Sequence, residues 1–432
     1  MSGYNLVSFV GIFVLIGFAW LISSDRRNMN WRVIIWGTVL QLAFACFVFA
    51  FPAGQSVFLF VNDVVVKVMD AAAAGARFVF GRLAIPPGAD SSSLGFILAF
   101  QAFPTIVFFS ALMSVLYYVR LMPLVVRGFA SVFTRLMRVS GAESLCTASN
   151  IFVGVESALI VKPHLADMTR SELCTILTAG MATVASNVLA VYVFSLKAQF
   201  PAIAGHLISA SILSAPAALV MSKILFPESE TPKTMGLNVA PYYEREGSLF
   251  ESVIRGANDG LKLVGGIVAL LLAVLGLMAV LDLLLMWAGA RVNGLCGLGL
   301  DWSLKGLMGY LFYPFTLAMG VPLSDAGVIS RIVGERAIVT EVVSYQDLSA
   351  AIQQGLVHDP RSIVIATYAL CGFAHIASVA IFVGGTASLA PSRTRDLAGV
   401  GFRALLAATL ACLMTACVAG TFFTGQSVLM GR

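Results

Sequence analysis

Glu156 and Glu341 each fall inside a short apolar run of a 432-residue chain that is 59% hydrophobic and only 11% charged. A carboxylate at membrane depth is costly, so it usually lines a solute or ion path. Glu143, Ser144, Ser149, Asn150, Ser157 and Lys162 crowd around the first, and Ser324, Asp325, Arg331, Glu335 and Arg336 around the second. A structural reading pairs Glu156 with Lys162, Glu341 with Arg336 and Asp325 with Arg331. It also lets Asn150 tie two helices together and turns the Thr183 hydroxyl onto its own helix backbone.

The elements that must hold these groups follow from the apolar runs. The runs on either side of Gly154, about ten residues each, are too short to cross about 30 Å of hydrocarbon as helices. They predict a re-entrant hairpin at 140–163, and the pattern recurs at 320–345. Such breaks persist at membrane depth only when buried in protein or lining water, and in transporters they hold substrate and coupling ion. Each hairpin precedes a helix with a polar centre. One, 172–196, passes through Thr183-Val184-Ala185-Ser186-Asn187. The other, 361–383, passes through Gly372-Phe373-Ala374-His375-Ile376-Ala377-Ser378. Thr169 with Glu172 three residues on reads as a capping box that starts the first of these helices. A span follows in each half, at 206–226 and 400–423. The halves share a pattern and little identity, but paired interrupted segments are a strong sequence pointer to a transporter site.

Further spans are expected at 5–22, 33–51, 95–119 with a kink at Pro104, and 263–288, with a shorter apolar run around Pro314 at 302–320. Segments 54–81 and 120–138 read as interfacial helices, and 248–262 as amphipathic. A polar Pro/Ser loop is expected at 86–93. The hydrophilic break at 227–247, with Glu228, Glu230, Lys233, Glu244, Arg245 and Glu246, divides the chain roughly in half. Arg26 and Arg27 place the loop after the first span in the cytoplasm and the start of that span outside. Run 5–22 is too long for a signal core and lacks a basic flank, so it reads as a retained span.

A soluble protein carries about 25% charged residues, so the deficit here marks an all-α polytopic membrane protein. The net charge of +5 is spread over loops and fits cytoplasmic loop bias, with no nucleic-acid partner. The seven cysteines (Cys46, Cys146, Cys174, Cys296, Cys371, Cys412, Cys417) show no metal-ligand spacing and read as small core residues. The four histidines are scattered, with His164, His206 and His358 at span ends or loops. No nucleophile–His pair or metal cluster supports a membrane-embedded hydrolase, so no enzymatic activity and no cofactor are expected. A non-coupled gate is a third class, although carboxylates in paired hairpins suit alternating access better.

The blocks PTIVFFSALMSVLYYV, SGAESLCTASNIFVG, MTRSEL, SAPAAL and ALCGFAHIAS, in order between residues 5 and 423, resemble the concentrative nucleoside transporter family. The resemblance implies a homotrimer in the lipid bilayer of a bacterial inner membrane, with about eight spans per subunit and two re-entrant hairpins. It also implies an elevator mechanism that carries a nucleoside and a cation. On that reading, 1–119 supplies N-terminal scaffold helices and 120–226 the first half of the transport domain. The hydrophilic loop is 227–247, 248–300 is a further scaffold helix region, and 301–432 is the second half of the transport domain. The family's sodium ligands fall on Asn150, Val153, Thr183 and Val184, an oxygen set that suits a hard cation. Its substrate positions fall on Val155, Glu156, Val188, Glu341, Phe373, His375 and Ser378. Three departures cluster there. The first-hairpin tip is one residue short, with Val155 where a Gln and a hydroxyl serve the nucleobase. His375 stands where an Asn meets the ribose. Thr340 and Arg336 replace an Asn and a Lys. An apolar group cannot bond a base edge, and each lost buried bond costs about 1–3 kcal/mol. The resemblance with these departures implies a sodium-coupled importer of nucleosides with shifted specificity. Because imidazole titrates near neutrality, the alternative is a proton-coupled transporter of another hydroxylated solute.

Overall fold

The computed structural model describes residues 3–86, 93–242, 246–297 and 299–425. Residues 87–92 of the expected Pro/Ser loop, Glu244 and Arg245, and the Val155 side chain lie outside that description. The described residues are helical throughout, apart from loops and one isolated bridge between Ser140 and Met235.

The N-terminal part contains α1 (Gly3–Leu21), α2 (Trp31–Ala50), the long α3 (Pro52–Phe80), the single turn α4 (Leu98–Gln101), α5 (Phe103–Tyr118) and α6 (Leu121–Met137). The expected kink at Pro104 is instead a break at Ala102. Pro104 opens α5 near its first position, where the missing N–H has no helical partner to lose. The first hairpin follows: α7 (Gly141–Asn150), a tip at 151–154, a 3₁₀ stretch Val155–Val161 and the single turn α8 (Lys162–Leu165). Its return arm is thus tighter and less regular than an α-helix. The interrupted helix is α9 (Arg170–Ala182) and α10 (Ser186–Leu196), broken at Thr183–Ala185 as its polar patch predicts, and α11 (Ile203–Leu225) closes the half.

The segments read separately as 248–262 and 263–288 form one helix, α12 (Leu249–Cys296). The amphipathic segment has no breaker at its junction with the apolar one. After α13 (Leu304–Ala318), the second hairpin comprises α14 (Leu323–Arg336) and α15 (Glu341–Gln353). Its return arm runs beyond 345, where the expected hairpin ends, as far as Gln353. The second interrupted helix is α16 (Pro360–Leu370) and α17 (Ile376–Leu389), and α18 (Thr394–Phe422) is last.

The interior is built on the interrupted helix of the first half, α11 and α18. In their apolar 18-residue stretches, 89% of the residues are buried in each of the first two and 83% in the last, against 6% in α12. Buried Ala404, Ala407, Ala408 and Ala411 let α18 approach its neighbours closely. Among the described residues, seven helical segments are long and apolar enough to cross a membrane, the interrupted α9–α10 counted as one, and the α16–α17 pair is its counterpart in the second half.

Each hairpin is fixed at its base. Capping boxes Ser140/Glu143 and Thr169/Glu172 start α7 and α9. Both lie beside Lys223 of α11, whose ammonium is 2.8 Å from Glu143, 3.5 Å from Glu228 and 3.0 Å from the Ser171 hydroxyl. In the loop below, Lys233 lies 2.7 Å from Asp167, and its hydrogen bond holds that carboxyl below its ordinary range. At the second hairpin, Asp325 accepts from the His358 and Asp359 amides at 3.2 and 3.0 Å. Arg361 donates to the Gly320 carbonyl at 2.8 Å and to Ser8 of α1 at 2.5 Å. Asp325 is therefore not paired with Arg331, which reaches Asp301 at 3.5 Å.

The loops around residues 23–30, 166–169 and 226–247 share one face. Ser24 bonds the Leu225 carbonyl, Asn28 the Glu228 carbonyl, and Arg393 the Ala166 carbonyl. Arg26, Arg27, Arg170, Lys233 and Arg393 gather there, which identifies the cytoplasmic face. α1 begins on the opposite face, where Asn5 bonds the carbonyls of Thr421 and Phe423.

Candidate substrate and ion site

The tip of the first hairpin packs into the break between α9 and α10. The first amide of α10, Ser186, bonds the Phe152 carbonyl at 3.0 Å. Ser211, in the middle of α11, donates to the Ile151 carbonyl at 2.8 Å and lies 3.5 Å from the Val184 carbonyl. Asn150 ends α7, fully buried. Its amide donates to the Cys146 carbonyl at 3.1 Å, and its side-chain oxygen accepts from Ser157 at 2.8 Å. The Thr183 hydroxyl donates to the Ala179 carbonyl of its own helix at 2.9 Å, the backbone bond open to it in the sequence. Asn150, Val153, Thr183 and Val184 thus fall in one neighbourhood of side-chain and carbonyl oxygens. A hard monovalent cation requires such a set.

A second cluster lies between the two breaks. A chamber of about 90 Å³ is lined by Glu156 and Val188 on one side and by Glu341, Phe373, His375 and Ser378 on the other. Glu341 is the first residue of α15, 2% exposed. Tyr192 donates to its Oε1 at 2.8 Å, and Nε2 of His375 lies 3.2 Å from its Oε2. Tyr192 stacks on Tyr345 with ring centres 4.7 Å apart, and Tyr345 donates to the Thr367 carbonyl at 2.8 Å. The carboxylate is therefore held from three elements. His375 Nδ1 and the hydroxyls of Ser378 and Thr340 are buried without a partner among the described residues. Unspent hydrogen-bonding groups of this kind are expected of a site whose ligand supplies the partners.

The chamber adjoins a larger cavity of about 890 Å³, and Glu156, Asn187 and Leu263 line both. Tyr117, Arg120, Tyr242 and Glu246 also line the larger cavity, and Tyr242 and Glu246 belong to the loop on the basic face. Between the two breaks, Gly372 at φ +133° sets its backbone against the Ala182 carbonyl, where a Cβ would come within 2.7 Å. The two breaks can meet only because that residue is glycine.

Three family models cover the chain: "Na+ dependent nucleoside transporter N-terminus" at residues 10–83, "Nucleoside recognition" at 99–199 and "Na+ dependent nucleoside transporter C-terminus" at 206–420. An uncharacterized transporter of Haemophilus influenzae is 36% identical over 423 residues, which span 96% of this chain and 97% of that protein. This chain belongs to the concentrative nucleoside transporter family. Solute carrier family 28 member 3 of Mus musculus is 37% identical over 431 residues, 96% of this chain but 58% of that protein. The chain thus spans little more than half the length of that mammalian relative. CNTnw in an inward-facing, substrate-bound state superposes with a TM-score of 0.86 at 32% identity, covering 97% of this chain and 98% of that one. A doubly substituted CNTnw in an outward-facing state gives 0.85 at 30% identity, covering 98% of each chain. Family and fold make this a multi-pass cell-membrane protein.

The ion pairs open to the sequence resolve differently in the fold. Glu341 faces His375, not Arg336, whose Nη1 instead donates to the Ala369 carbonyl at 2.7 Å. Lys162 lies over the Tyr242 ring and away from Glu156. His206 lies in the first turn of α11, at the span end as expected, and is fully buried there among Phe49, Phe58, Phe200 and Tyr368. Sequence reasoning passes over Tyr192 and Ser211. Each is a lone polar group in an apolar span, and such residues are usually packing or helix-bonded. The signal they carry is their place in the span that bears or follows the first polar break.

Proposed function

We propose that the chain is a sodium-coupled secondary transporter that imports nucleosides or a nucleoside-like hydroxylated solute by an elevator movement. The observation that supports this most directly is Glu341, a buried carboxylate at the confluence of the second hairpin and both breaks, surrounded by unspent donors and acceptors. A carboxylate beside a histidine and two hydroxyls suits a vicinal diol. The roles proposed are Glu341, His375 and Ser378 for the sugar, Glu156 for the base or its water, and Val188 and Phe373 for apolar walls. Val155 stands at the tip of the family motif. Asn150, Val153, Thr183 and Val184 are assigned to sodium.

The bundle of α6–α11 and α13–α18 would move as the transport domain, with α1–α5 and α12 as scaffold. The largely unburied α12, with Leu272, Leu277, Leu283 and Trp287 exposed, gives the scaffold a face for lipid and for other subunits of a homotrimer. Tyr242 and Glu246, from the loop on the basic face, line the larger cavity, and this supports an inward-facing reading. A proton-coupled reading for another hydroxylated solute is favoured by one observation, His375 against Glu341.

The test is thermal stabilisation of purified protein by nucleosides, modified nucleosides and sugars, with and without sodium, followed by uptake into proteoliposomes. Uridine or adenosine should stabilise the protein, and more so with sodium. Response only to another polyol, independent of sodium, would overturn the reading. Asn150→Ala and Thr183→Ala should each raise the sodium concentration for half-maximal uptake by roughly tenfold or more, about 1.4 kcal/mol of binding. Uptake at saturating sodium should be largely kept. An equal loss in sodium-free buffer would reject the ion-site assignment.

His375→Asn should strengthen uridine binding by roughly tenfold, because a neutral amide fork replaces an imidazole engaged with Glu341. Uridine affinity unchanged or weaker in that variant would show that His375 does not restrict the site.

A further inference from the structure

Arg336 is the largest fully buried side chain among the described residues. It ends α14, its Nη1 donates to the Ala369 carbonyl at 2.7 Å, and its Nε and Nη2 have no hydrogen-bond partner among the described residues. No carboxylate pairs with it there. The guanidinium is charged at any physiological pH, so something must offset its burial.

The two halves of the transport bundle indicate what does. In the first half, α7 ends at Asn150, and the first amide of α10, Ser186, bonds the Phe152 carbonyl in the hairpin tip. In the second half, α14 ends at Arg336, and the first amide of α17, Ile376, bonds the Ala337 carbonyl in the hairpin tip at 3.2 Å. The span that follows supplies a donor in each, to the hairpin tip in the first half and to the helix break in the second. Ser211 of α11 donates to the Ile151 carbonyl, and Cys412 of α18 donates to the Cys371 carbonyl at 2.9 Å. Arg336 therefore occupies in the second repeat the place that Asn150 occupies in the first.

Both breaks leave the C-terminal carbonyls of a half-helix, α9 or α16, without helical partners, and this is the negative end of a helix dipole. At the first break the oxygens of Asn150, Thr183 and the neighbouring carbonyls can be satisfied by a mobile cation. At the second, the guanidinium already lies on the α16 carbonyl end.

We propose that Arg336 is a built-in cation. It fills the inverted-repeat counterpart of the sodium site, so that one exchangeable sodium ion serves a fold with two equivalent cation positions. The inference rests on the sodium-coupled reading above. It assigns to Arg336 a positioning role at the second break and a direct part in setting the coupling stoichiometry.

The experiment counts sodium ions per substrate in proteoliposomes, with the Hill coefficient for sodium activation, for wild type, Arg336→Lys and Arg336→Gln. Wild type and Arg336→Lys should move one sodium, and the Hill coefficient of Arg336→Gln should rise from about one toward two as sodium enters the vacated position. A merely structural arginine would not move that coefficient. Should Arg336→Gln purify poorly in potassium, its recovery by sodium, and not by choline, is the expected result; equal recovery in both overturns the proposal. It is also overturned by two sodium ions in wild type, or by a folded Arg336→Gln with unchanged sodium activation. A wild type indifferent to sodium would remove the underlying functional reading as well, and that arm is read before any variant.

Discussion

Glu341→Gln is expected to lower uptake by at least about a hundredfold while the protein still purifies as a folded species. The carboxylate accepts from Tyr192 at one oxygen and faces His375 Nε2 at the other. A carboxamide has one accepting oxygen and one donating nitrogen. One of the two existing donors must therefore meet another donor, and the substrate hydroxyl loses a charged acceptor. Bonds to charged groups are worth about 1.5–3 kcal/mol each, so losing two costs about 3–6 kcal/mol, roughly a hundredfold or more. The fold should survive, because the α15 backbone, the Tyr192–Tyr345 stack and the Tyr345 bond to Thr367 do not involve the carboxylate directly. Uptake in proteoliposomes, normalised to protein and paired with a melting curve, makes the measurement. Uptake within threefold of wild type would remove Glu341 from the substrate path. Glu341→Asp keeps the charge but withdraws it by one methylene, and should fall between the two.

The hairpins and the two broken helices are legible in the sequence because a half-length apolar run interrupted by polar residues can do little else in a membrane protein than turn back or break. The break at Thr183–Ala185 and the one before Ile376 fall where the polar clusters stand. The partners across the fold are not legible. Tyr192 meets Glu341 from 149 residues away, and nothing local to either residue encodes that contact. Lys223 reads as the end of an apolar span until α7 and α9 are placed beside it. Asp325 has an available partner in Arg331 on its own helix, but the amides of His358 and Asp359 lie closer to it. Sequence spacing shows which residues share a helix face. It does not show which of two distant charges a third will choose. The return arm of the first hairpin reads as helical because its run Ala158–Val161 is apolar, whereas the observed path is a 3₁₀ stretch that ends at Lys162.

Lys223→Met is expected to destabilise the protein by roughly 3–5 kcal/mol, since it strips the cation from a buried pair. Lys223 and Glu143 are 4% and 1% exposed, and Glu228 lies 3.5 Å from the same ammonium. Met matches the length of the lysine stem, so packing along α11 is kept and the loss isolates the charge. Glu143 would then be left buried with its capping bond to the Ser140 amide and without a counter-ion. The double variant Lys223→Met/Glu143→Gln should recover much of the loss, because glutamine can still accept from that amide and no lone charge remains. A melting temperature that falls in the single variant and returns most of the way in the double identifies the charge as the cause. If the double variant melts as low as the single, the lysine acts through its contacts to Ser171 and Glu228 instead. The functional consequence follows from position. Lys223 ties the starts of α7 and α9 to α11, while Asn150 and Thr183 lie at the far ends of those same two helices. The base is where the hairpin and the broken helix are locked in register, so loosening it should broaden the cation site before it empties the sugar site. Sodium affinity should therefore fall more steeply than nucleoside affinity measured at saturating sodium.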